Sequence, residues 1–388
     1  MRLKKVLIIL CTFWGILGFS QQIKISALTK ISILTIGPGD ELNSKFGHSA
    51  IRLQDPTIGM DIVYNYGMFD FNTPNFYMKF ARGKLDYWIN KETFDRFLYV
   101  YKYEKRWVKE QVLNLSAKEV KQLYDFLENN HLPDNRFYKY DFFFDNCTTR
   151  LPDALKSVLG DNLELATVDV GDKTTYRDLI HQNLELNSWS NFGIDLALGS
   201  VIDKKGTPFL PINLLNQLND SELGDKNLVY KEIEVLPEGR EKNKTSIFKT
   251  PLFWLSILLL LFLGVTYVDF KKQKRSRWLD FLLFFTTGIV GILILFLWFA
   301  TDHQATKANF NALWAFAPNL LIAFVLLKKQ LPKWTKIYLM FLLALIGVTL
   351  ILWLLKIQIF SPLILFILVS LSVRYLFLSR LIKLGNIN

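Results

Sequence analysis

Long apolar segments dominate the second half of the chain, whereas the first half mixes apolar and polar positions. From Pro251 onward, apolar runs alternate with short polar connectors. Each run has close to the roughly 17–25 residues that a membrane-spanning helix requires. The runs cover residues 251–269, 278–299, 310–327, 337–355 and 361–379. The pattern predicts an all-α bundle of about five transmembrane helices at the C-terminus.

The connectors between these runs differ in charge. Residues 271–277 and 328–336 are strongly basic, whereas 301–309 and 358–362 carry little positive charge. Because basic connectors stay in the cytoplasm, we predict that the two basic connectors face inward and that the C-terminus, near Arg380, is cytoplasmic. Three lysines on the outer side of the first span oppose this orientation, and a signal peptide would outweigh them: Lys242, Lys244 and Lys249.

The N-terminus has the layout of a cleavable signal peptide. Basic residues after Met1 precede a short apolar stretch at 6–19, which is too short to suit a bilayer. Cys11 raises the alternative of a lipoprotein-type signal, which we reject because Leu10 stands where a small residue is required. We therefore predict a multi-pass protein of the inner membrane with three parts: a signal peptide at 1–21, an exported periplasmic domain at 22–247 and a transmembrane domain at 248–388.

The exported region has the patterns of an α+β domain. A buried strand ends at the turn Gly37-Pro-Gly-Asp40, and Ser116-Ala-Lys-Glu119 is a capping box that opens a helix. A second helix is predicted to begin near Cys147 and to kink or restart at Pro152. Two-residue alternation predicts strands at 27–36, 48–53, 61–66 and 97–113, and residues from about 220 to 243 are predicted to be a linker into the membrane.

A specific register follows for the second and third strands. If paired residue numbers sum to 113, Arg52 lies opposite Asp61 and His48 lies opposite Asn65. The other face then collects a mainly apolar set: Ser49, Ile51, Leu53, Ile62, Tyr64 and Tyr66. This register joins a charge pair and keeps apolar residues together, which is what selects a register in an antiparallel pair.

The formal net charge of +11 does not indicate nucleic acid binding. Much of the charge falls in the connectors predicted to be cytoplasmic, where topology accounts for it. The remainder would favour anionic lipid headgroups. We therefore expect no nucleic acid partner.

Cys147 is the strongest candidate for chemistry. The chain has two cysteines, and removal of the signal peptide leaves Cys147 without a partner for a disulfide. The structural alternative is a small buried hydrophobe. Polar neighbours on both sides, Asp145-Asn146 and Thr148-Thr149-Arg150, argue against that alternative, and a helix N-terminus stabilises the reactive thiolate. We therefore interpret Cys147 as a nucleophile.

A cysteine nucleophile needs an imidazole base, and the base needs a group that orients it. Of the histidines in the exported region, His131 follows a helix in a loop and His181 ends one, so both are interpreted as structural. His48 begins a predicted strand directly after Gly47 and is interpreted as the base. The register above makes Asn65 the candidate orienting residue.

These residues carry a resemblance. Histidine on a strand followed by Asn-Cys at a helix start is the order of circularly permuted papain-like enzymes, such as the relatives of lecithin retinol acyltransferase. Four further segments resemble the N-terminal periplasmic domain of Lnb proteins, and the tail around Asp302-His303 and Asn309–Trp314 resembles their transmembrane domain. The four segments are Phe46-Gly-His-Ser49, Tyr64-Asn-Tyr-Gly67, Asp145-Asn-Cys-Thr-Thr-Arg150 and Phe192-Gly-Ile-Asp-Leu-Ala-Leu-Gly199.

The resemblance implies a permuted papain-like (NlpC-type) exported domain and lipoprotein N-acylation. A membrane phospholipid would be the acyl donor and the N-terminus of a diacylglyceryl-cysteine lipoprotein the acceptor, with Cys147 as nucleophile, His48 as base and no cofactor or metal. The chain departs from the lecithin retinol acyltransferase pattern because it lacks both the second, orienting histidine and a histidine soon after the cysteine. Asn65 therefore rests on the register alone.

Further residues are candidates for binding substrate. Asn146 and Arg150 flank the thiol, and polar residues at the predicted membrane edge form a second group: His303, Asn309 and Asn311. A solvated turn is the alternative for the second group. Arg374, inside the last run, either extends to the cytoplasmic surface or pairs within the bundle. Two other functions remain open at this stage: a cell-wall peptidase or amidase of NlpC type, and a non-catalytic lipid- or lipoprotein-binding protein.

Overall fold

A computed structural model describes residues 24–167, 174–240 and 246–383. The predicted signal peptide lies outside the described residues. The N-terminal part is built on an antiparallel sheet and the C-terminal part is helical, which confirms the α+β class.

Seven strands form the main sheet: β1 (Lys30–Ile36), β2 (His48–Asp55), β3 (Met60–Met68), β4 (Asp86–Thr93), β5 (Val108–Leu113), β6 (Phe137–Lys139) and β10 (Val229–Leu236). Their order in the sheet is β10-β5-β1-β2-β3-β4-β6. A small second sheet contains β7 (Leu163–Glu164), β8 (Glu222–Leu223) and β9 (Lys226–Asn227).

Helices connect and cover these strands. In chain order they are α1 (Phe76–Ala81), α2 (Phe94–Tyr103), α3 (Ala117–His131), α4 (Arg150–Leu159), α5 (Tyr176–His181), α6 (Trp189–Ala197) and α7 (Pro211–Asn219). Helices α3 and α4 share a hydrophobic cluster with Ile51 and Tyr64 of the sheet, whereas α2 packs with Ala50 and Val63 in a second cluster. Neighbouring strand positions thus bury apolar residues on both faces of the sheet.

The capping box is confirmed, since the side chain of Ser116 accepts from the Glu119 amide and the Glu119 carboxylate accepts from the Ser116 amide. Two other predictions were wrong. Residues 97–113 are not one strand, because the first part forms the amphipathic helix α2. The predicted linker contains β10, which pairs with β5 along the sheet edge.

The register between β2 and β3 differs from the prediction by two residues. Arg52 lies opposite Val63, and Gln54 lies opposite Asp61. A slip of two residues keeps every side chain on its predicted face, whereas a slip of one would reverse them all. Arg52 therefore still reaches Asp61 diagonally, with 2.6 Å between its Nη2 and the carboxylate.

Four helices of the C-terminal part are long and apolar enough to cross a membrane: α8 (Pro251–Lys272), α9 (Arg277–Phe299), α12 (Trp334–Leu354) and α13 (Ile364–Lys383). The third predicted span is not a continuous helix. It consists of two short helices, α10 (Asn311–Trp314) and α11 (Asn319–Leu326), on either side of a break that ends at Pro318. Proline has no amide hydrogen and disfavours helical geometry in the residue before it.

Two glycines of α9 accommodate this break. A Cβ on Gly291 would lie 2.0 Å from the carbonyl oxygen of Ala315, and one on Gly288 would lie 2.2 Å from the amide nitrogen of Leu320. Backbone that is not helical is tolerated at membrane depth only when protein covers it, and Ala315 is fully buried. The side chain of Asn319 donates to the Thr287 hydroxyl at 3.1 Å and so adds a polar contact beside the break.

The broken segment still runs from one end of the bundle to the other. At its start, Asn311 donates to the carbonyl of Asp195 in α6. This is the end of the bundle next to the N-terminal part of the chain, the part before α8, which is called the sheet domain below. At its end, the carbonyls of Leu326 and Lys328 accept from Arg275 in the loop between α8 and α9. The segment therefore spans the same thickness as its neighbours.

Arg374 is paired within the bundle. Its guanidinium lies 2.6 Å from Asp280 and 2.8 Å from Asp269, and the arginine is fully buried. Arg275 also contacts Asp280, at 3.1 Å. Two arginines and two aspartates thus balance in charge, as buried ions must. The cluster ties α8, α9 and α13 together at the end opposite the sheet domain.

We predict that the two ends of the broken segment lie on opposite sides of the membrane. In a Cys147→Ser background, Gln304→Cys should react with a membrane-impermeant maleimide on spheroplasts, because residue 304 lies at the end of the bundle next to the sheet domain. Lys274→Cys and Lys329→Cys should react only after permeabilisation. Labelling of Lys329→Cys on intact spheroplasts would place both ends of the segment on one side.

Candidate active site

Cys147 lies in a turn that the side chain of Asn146 organises. The Asn146 Oδ1 accepts from the amides of Thr148 at 2.7 Å and Thr149 at 2.9 Å, so Asn146 caps this turn, whereas the N-cap of the following helix is Thr149. The helix itself begins three residues after Cys147, at Arg150. Pro152 falls in the first turn of that helix, where its missing amide hydrogen has no intrahelical partner to lose, so the predicted kink is absent.

All polar atoms of the Asn146 side chain are engaged within the protein. Its Nδ2 donates to the carbonyls of Phe142 at 2.7 Å and Phe209 at 3.0 Å. The residue is also buried. The side chain expected to bind substrate therefore has no free donor or acceptor, and its contacts instead fix the turn that presents Cys147.

His48 begins β2 and is oriented by Asn65 of β3. The ring Nε2 lies 2.5 Å from Asn65 Oδ1, and Asn65 itself is buried. This contact occupies Nε2, so Nδ1 is the ring nitrogen left available for the thiol. Gly47 lets the chain pass close to Ile36 of β1 just before His48, because its φ of 81° suits glycine and a Cβ there would lie 2.6 Å from the Ile36 carbonyl oxygen. The structure thus brings together the three residues that sequence selected as a catalytic set.

The charges of Cys147 and His48 stabilise each other. Burial raises the pKa of the Cys147 thiol, but the His48 charge and hydrogen bonds from His48, the Ser49 amide and Thr148 lower that pKa below its usual value overall. Burial lowers the pKa of His48, but the Cys147 charge and hydrogen bonds with Cys147 and Asn65 raise it overall. The arrangement favours a thiolate beside an imidazolium, the reactive form of a cysteine nucleophile.

Tyrosines form a wall beside the thiol. A Cβ on Gly67 would lie 3.5 Å from the Tyr140 ring and 3.9 Å from both the Cys147 Cβ and the Tyr138 hydroxyl. These groups therefore border the same small space. The Tyr138 hydroxyl is buried and has no hydrogen-bond partner within the described residues. Sequence reasoning did not select Tyr138, which lies at the start of the aromatic segment 138–144 that leads into Asp145.

Arg150 holds the outer side of this wall. Its guanidinium lies 3.5 Å from the centre of the Tyr138 ring and binds Asp145 through two hydrogen bonds of 2.5 and 2.7 Å. A cavity of about 520 Å³ opens here, lined in part by Arg150, Asp145, Tyr66 and Asp153. Arg150 thus borders open space where a substrate group can reach it, although neither Cys147 nor His48 lines this cavity.

The candidates at the membrane edge lie in the interface between the two parts of the chain. Asn309 donates to the carbonyls of Leu196 and Ala197, and Asn311 donates to that of Asp195. Their Oδ1 atoms accept from within the same loop, and both residues are buried. Every polar atom of these two side chains is engaged, and none contacts Cys147, His48 or Asn65. His303 lies against Gly83, with its Nε2 3.1 Å from the Phe80 carbonyl oxygen.

The other two histidines contact groups away from the thiol. His181 lies 2.9 Å from Asp195, and His131 ends α3 near Glu128. Among residues 24–167, 174–240 and 246–383, no group of three histidine, cysteine or acidic side chains is placed to hold a metal.

Two family models match the chain. The Lnb N-terminal periplasmic domain matches residues 18–182, which include Cys147, His48 and Asn65, and the Lnb transmembrane domain matches residues 242–384. The chain belongs to the Lnb family. Searches of curated proteins and of solved structures gave no significant match. The Lnb periplasmic domain thus carries the Cys-His-Asn geometry, and the Lnb transmembrane domain carries the helices that anchor it.

We predict a thiol that reacts at unusually low pH. The thiolate exists above the pKa of Cys147, which His48 lowers. The alkylation rate with iodoacetamide should therefore rise at a lower pH than it does for a free cysteine, whose pKa is about 8.5. His48→Ala removes the imidazolium and leaves burial, which raises the thiol pKa, so the profile should move to higher pH. Asn65→Ala should move it the same way by less. Superimposable profiles for all three proteins would contradict the ion pair.

Proposed function

We propose that this protein is a lipoprotein N-acyltransferase that moves an acyl chain from a membrane phospholipid to the α-amino group of a diacylglyceryl-cysteine. The observation that carries the proposal is the contact of Cys147 with an imidazole oriented by Asn65, in a domain joined to a membrane bundle. Both substrates are anchored in a bilayer, so an enzyme fixed at its surface needs no soluble carrier. Membership of the Lnb family supports the same reaction.

In the first half-reaction the Cys147 thiolate attacks the carbonyl carbon of a phospholipid ester. A C–S bond forms, the ester C–O bond breaks, and the departing alkoxide takes a proton from the His48 imidazolium. A lysophospholipid leaves, and the enzyme retains an acyl-thioester and a neutral His48. Asn65 keeps the ring aligned through its contact with Nε2, so that Nδ1 serves the reacting groups.

The tetrahedral intermediate needs hydrogen-bond donors for its negative oxygen. The amides of Thr148 and Thr149 are engaged by Asn146, so they are not available. The Cys147 amide makes no hydrogen bond to other described residues, and the Tyr138 hydroxyl borders the space beside the thiol without a partner. Burial raises the pKa of Tyr138, and the nearby Cys147 thiolate raises it further, so its hydroxyl keeps the proton it would donate.

In the second half-reaction the lipoprotein amine attacks the thioester carbonyl. An N–C bond forms, the C–S bond breaks, and His48 takes a proton from the amine while the thiolate is released. The thiolate and the imidazolium are both restored. A thioester suits this step because amines attack it readily, and two half-reactions predict ping-pong kinetics.

The chemistry implies where the protein acts. We place the sheet domain on the periplasmic side of the inner membrane, with its substrates in the outer leaflet, and the C-terminus in the cytoplasm. The basic connectors at 271–277 and 328–336 support this orientation. A peptidase of NlpC type could use the same Cys-His pair, but the membrane bundle favours substrates held in the bilayer.

The proposal predicts an acyl-thioester on Cys147. Purified protein incubated with radiolabelled-acyl phospholipid and no acceptor should become labelled, and neutral hydroxylamine should release the label. Cys147→Ser should lower transfer by at least about 10³-fold, and because members of one catalytic unit are not additive, adding His48→Ala should make it no worse. Transfer at a normal rate without a labelled intermediate would demote Cys147, and cleavage of cell-wall peptides without acyl transfer would favour a peptidase.

Tyr138→Phe should lower the turnover number by about 10²-fold, the usual effect of losing one donor to the negative oxygen. The rate of alkylation of Cys147 should stay close to that of the wild type, because the thiolate and His48 remain. Tyr124→Phe, at another buried tyrosine, is the matched control and should leave turnover unchanged. An equal effect of the two substitutions would assign Tyr138 a packing role.

A further inference from the structure

The end of the sheet that carries His48 faces the membrane domain. His48 pairs with Ile36, Ile36 pairs with Val108, and Val108 pairs with Leu236 at the last residue of β10. The chain enters the membrane soon after, since α8 begins at Pro251. The strand β10 begins at the opposite end of the sheet, at Val229.

Helix α1 lies at the level of the outer bundle surface. The carbonyl of Arg82, just after α1, accepts from the Asp302 amide at 2.9 Å, and Gly83 lies directly against His303. Asp302 and His303 follow α9, which ends at Phe299. A segment in contact with the end of a membrane helix is at the bilayer boundary.

Apolar side chains around α1 are exposed at this boundary. Phe71 is 67% exposed, Tyr77 is 81% exposed, and Met78 and Phe80 are also exposed. Basic residues accompany them: Lys79, Arg82 and Lys84. Aromatic and basic side chains together are typical of protein surfaces that enter the headgroup region of a bilayer.

A chain of aromatic rings leads inward from this surface. The ring of Phe80 lies 6.1 Å from that of Phe76, which lies 5.8 Å from Phe69. The Phe69 ring in turn lies 5.4 Å from that of Tyr87. The series starts on exposed α1 and ends on the buried strand β4.

The same series reaches the thiol. Tyr87 stacks on Tyr140, with 4.5 Å between the ring centres. The Tyr140 ring borders the space at Gly67 that the Cys147 Cβ also borders. Packed rings therefore connect the membrane boundary to the wall beside the thiol, and Phe76 and Tyr87 within the series are buried.

We propose that residues 70–84 enter the outer leaflet, where their exposed aromatic side chains contact phospholipid acyl chains, and that the packed rings behind them hold this segment in a fixed position relative to Cys147. Delivery of a phospholipid ester from this contact to Cys147 rests on the proposed function, whereas entry of residues 70–84 into the leaflet does not. The partner of this surface is lipid, because residues 70–84 contact the outer end of the bundle and combine aromatic with basic side chains. A bilayer covers the aromatic and the basic side chains at once.

Photocrosslinking of the full chain tests the membrane contact. Benzoylphenylalanine replaces Tyr77 in protein reconstituted into vesicles of phosphatidylethanolamine and phosphatidylglycerol with tritiated acyl chains. The control is the same replacement at Tyr230, which is 74% exposed at the opposite end of the sheet. Label on residue 77 at least about ten-fold above residue 230 is expected. Equal label at the two positions would overturn the proposal.

A kinetic measurement tests whether this contact serves the delivery of phospholipid. Tyr77→Ser combined with Phe80→Ser should raise KM for the vesicle phospholipid several-fold and change kcat less, while Tyr230→Ser changes neither. Iodoacetamide alkylation of Cys147 reports that the site is intact in each variant. Unchanged KM would reject delivery from this contact. Crosslinking at residue 77 in a protein that transfers no acyl chain would keep the membrane contact and reject the proposed function instead.

Discussion

Burial opposes charge on both Cys147 and His48, so the site depends on the two groups being charged together. The imidazolium lowers the pKa of the thiol and the thiolate raises that of the imidazole, and each effect outweighs the burial that opposes it. Such mutual stabilisation falls off quickly with distance. The turn that carries Cys147 and the strand pair that carries His48 and Asn65 must therefore be held rigidly against each other.

The support for that turn extends to the membrane domain. Asn146 donates to the Phe209 carbonyl, and Phe209 packs in a buried cluster that includes Ala305 of the loop after α9. The same loop lies so close to Gly199 that a Cβ there would be 2.0 Å from the Lys307 carbonyl oxygen. The thiol is thus positioned by contacts that also fix the sheet domain on the bundle, which couples the geometry of the site to its orientation toward the bilayer.

Local patterns in the sequence predicted the features that depend on neighbouring residues. Alternation placed His48 and Asn65 on the correct faces, although the register was off by two, and the capping box at Ser116 was correct. Features that depend on distant residues were missed. The pairing of β10 with β5 and the break before Pro318, which α9 accommodates at Gly291, both require knowing which segments meet. Helix α2 was missed because its aromatic residues also favour strands.

Polar residues at a membrane edge can bind substrate or hold the protein together. The two roles differ in whether the donors and acceptors of the side chain already have partners within the protein. Asn309 and Asn311 use all their side-chain donors and acceptors within the protein, so a substrate could bind them only by breaking existing bonds. The Tyr138 hydroxyl has no such partner in the described part of the chain, and it borders the space beside Cys147. The Tyr138 hydroxyl is therefore available to a bound group, whereas the satisfied side chains of Asn309 and Asn311 hold the two parts of the chain together.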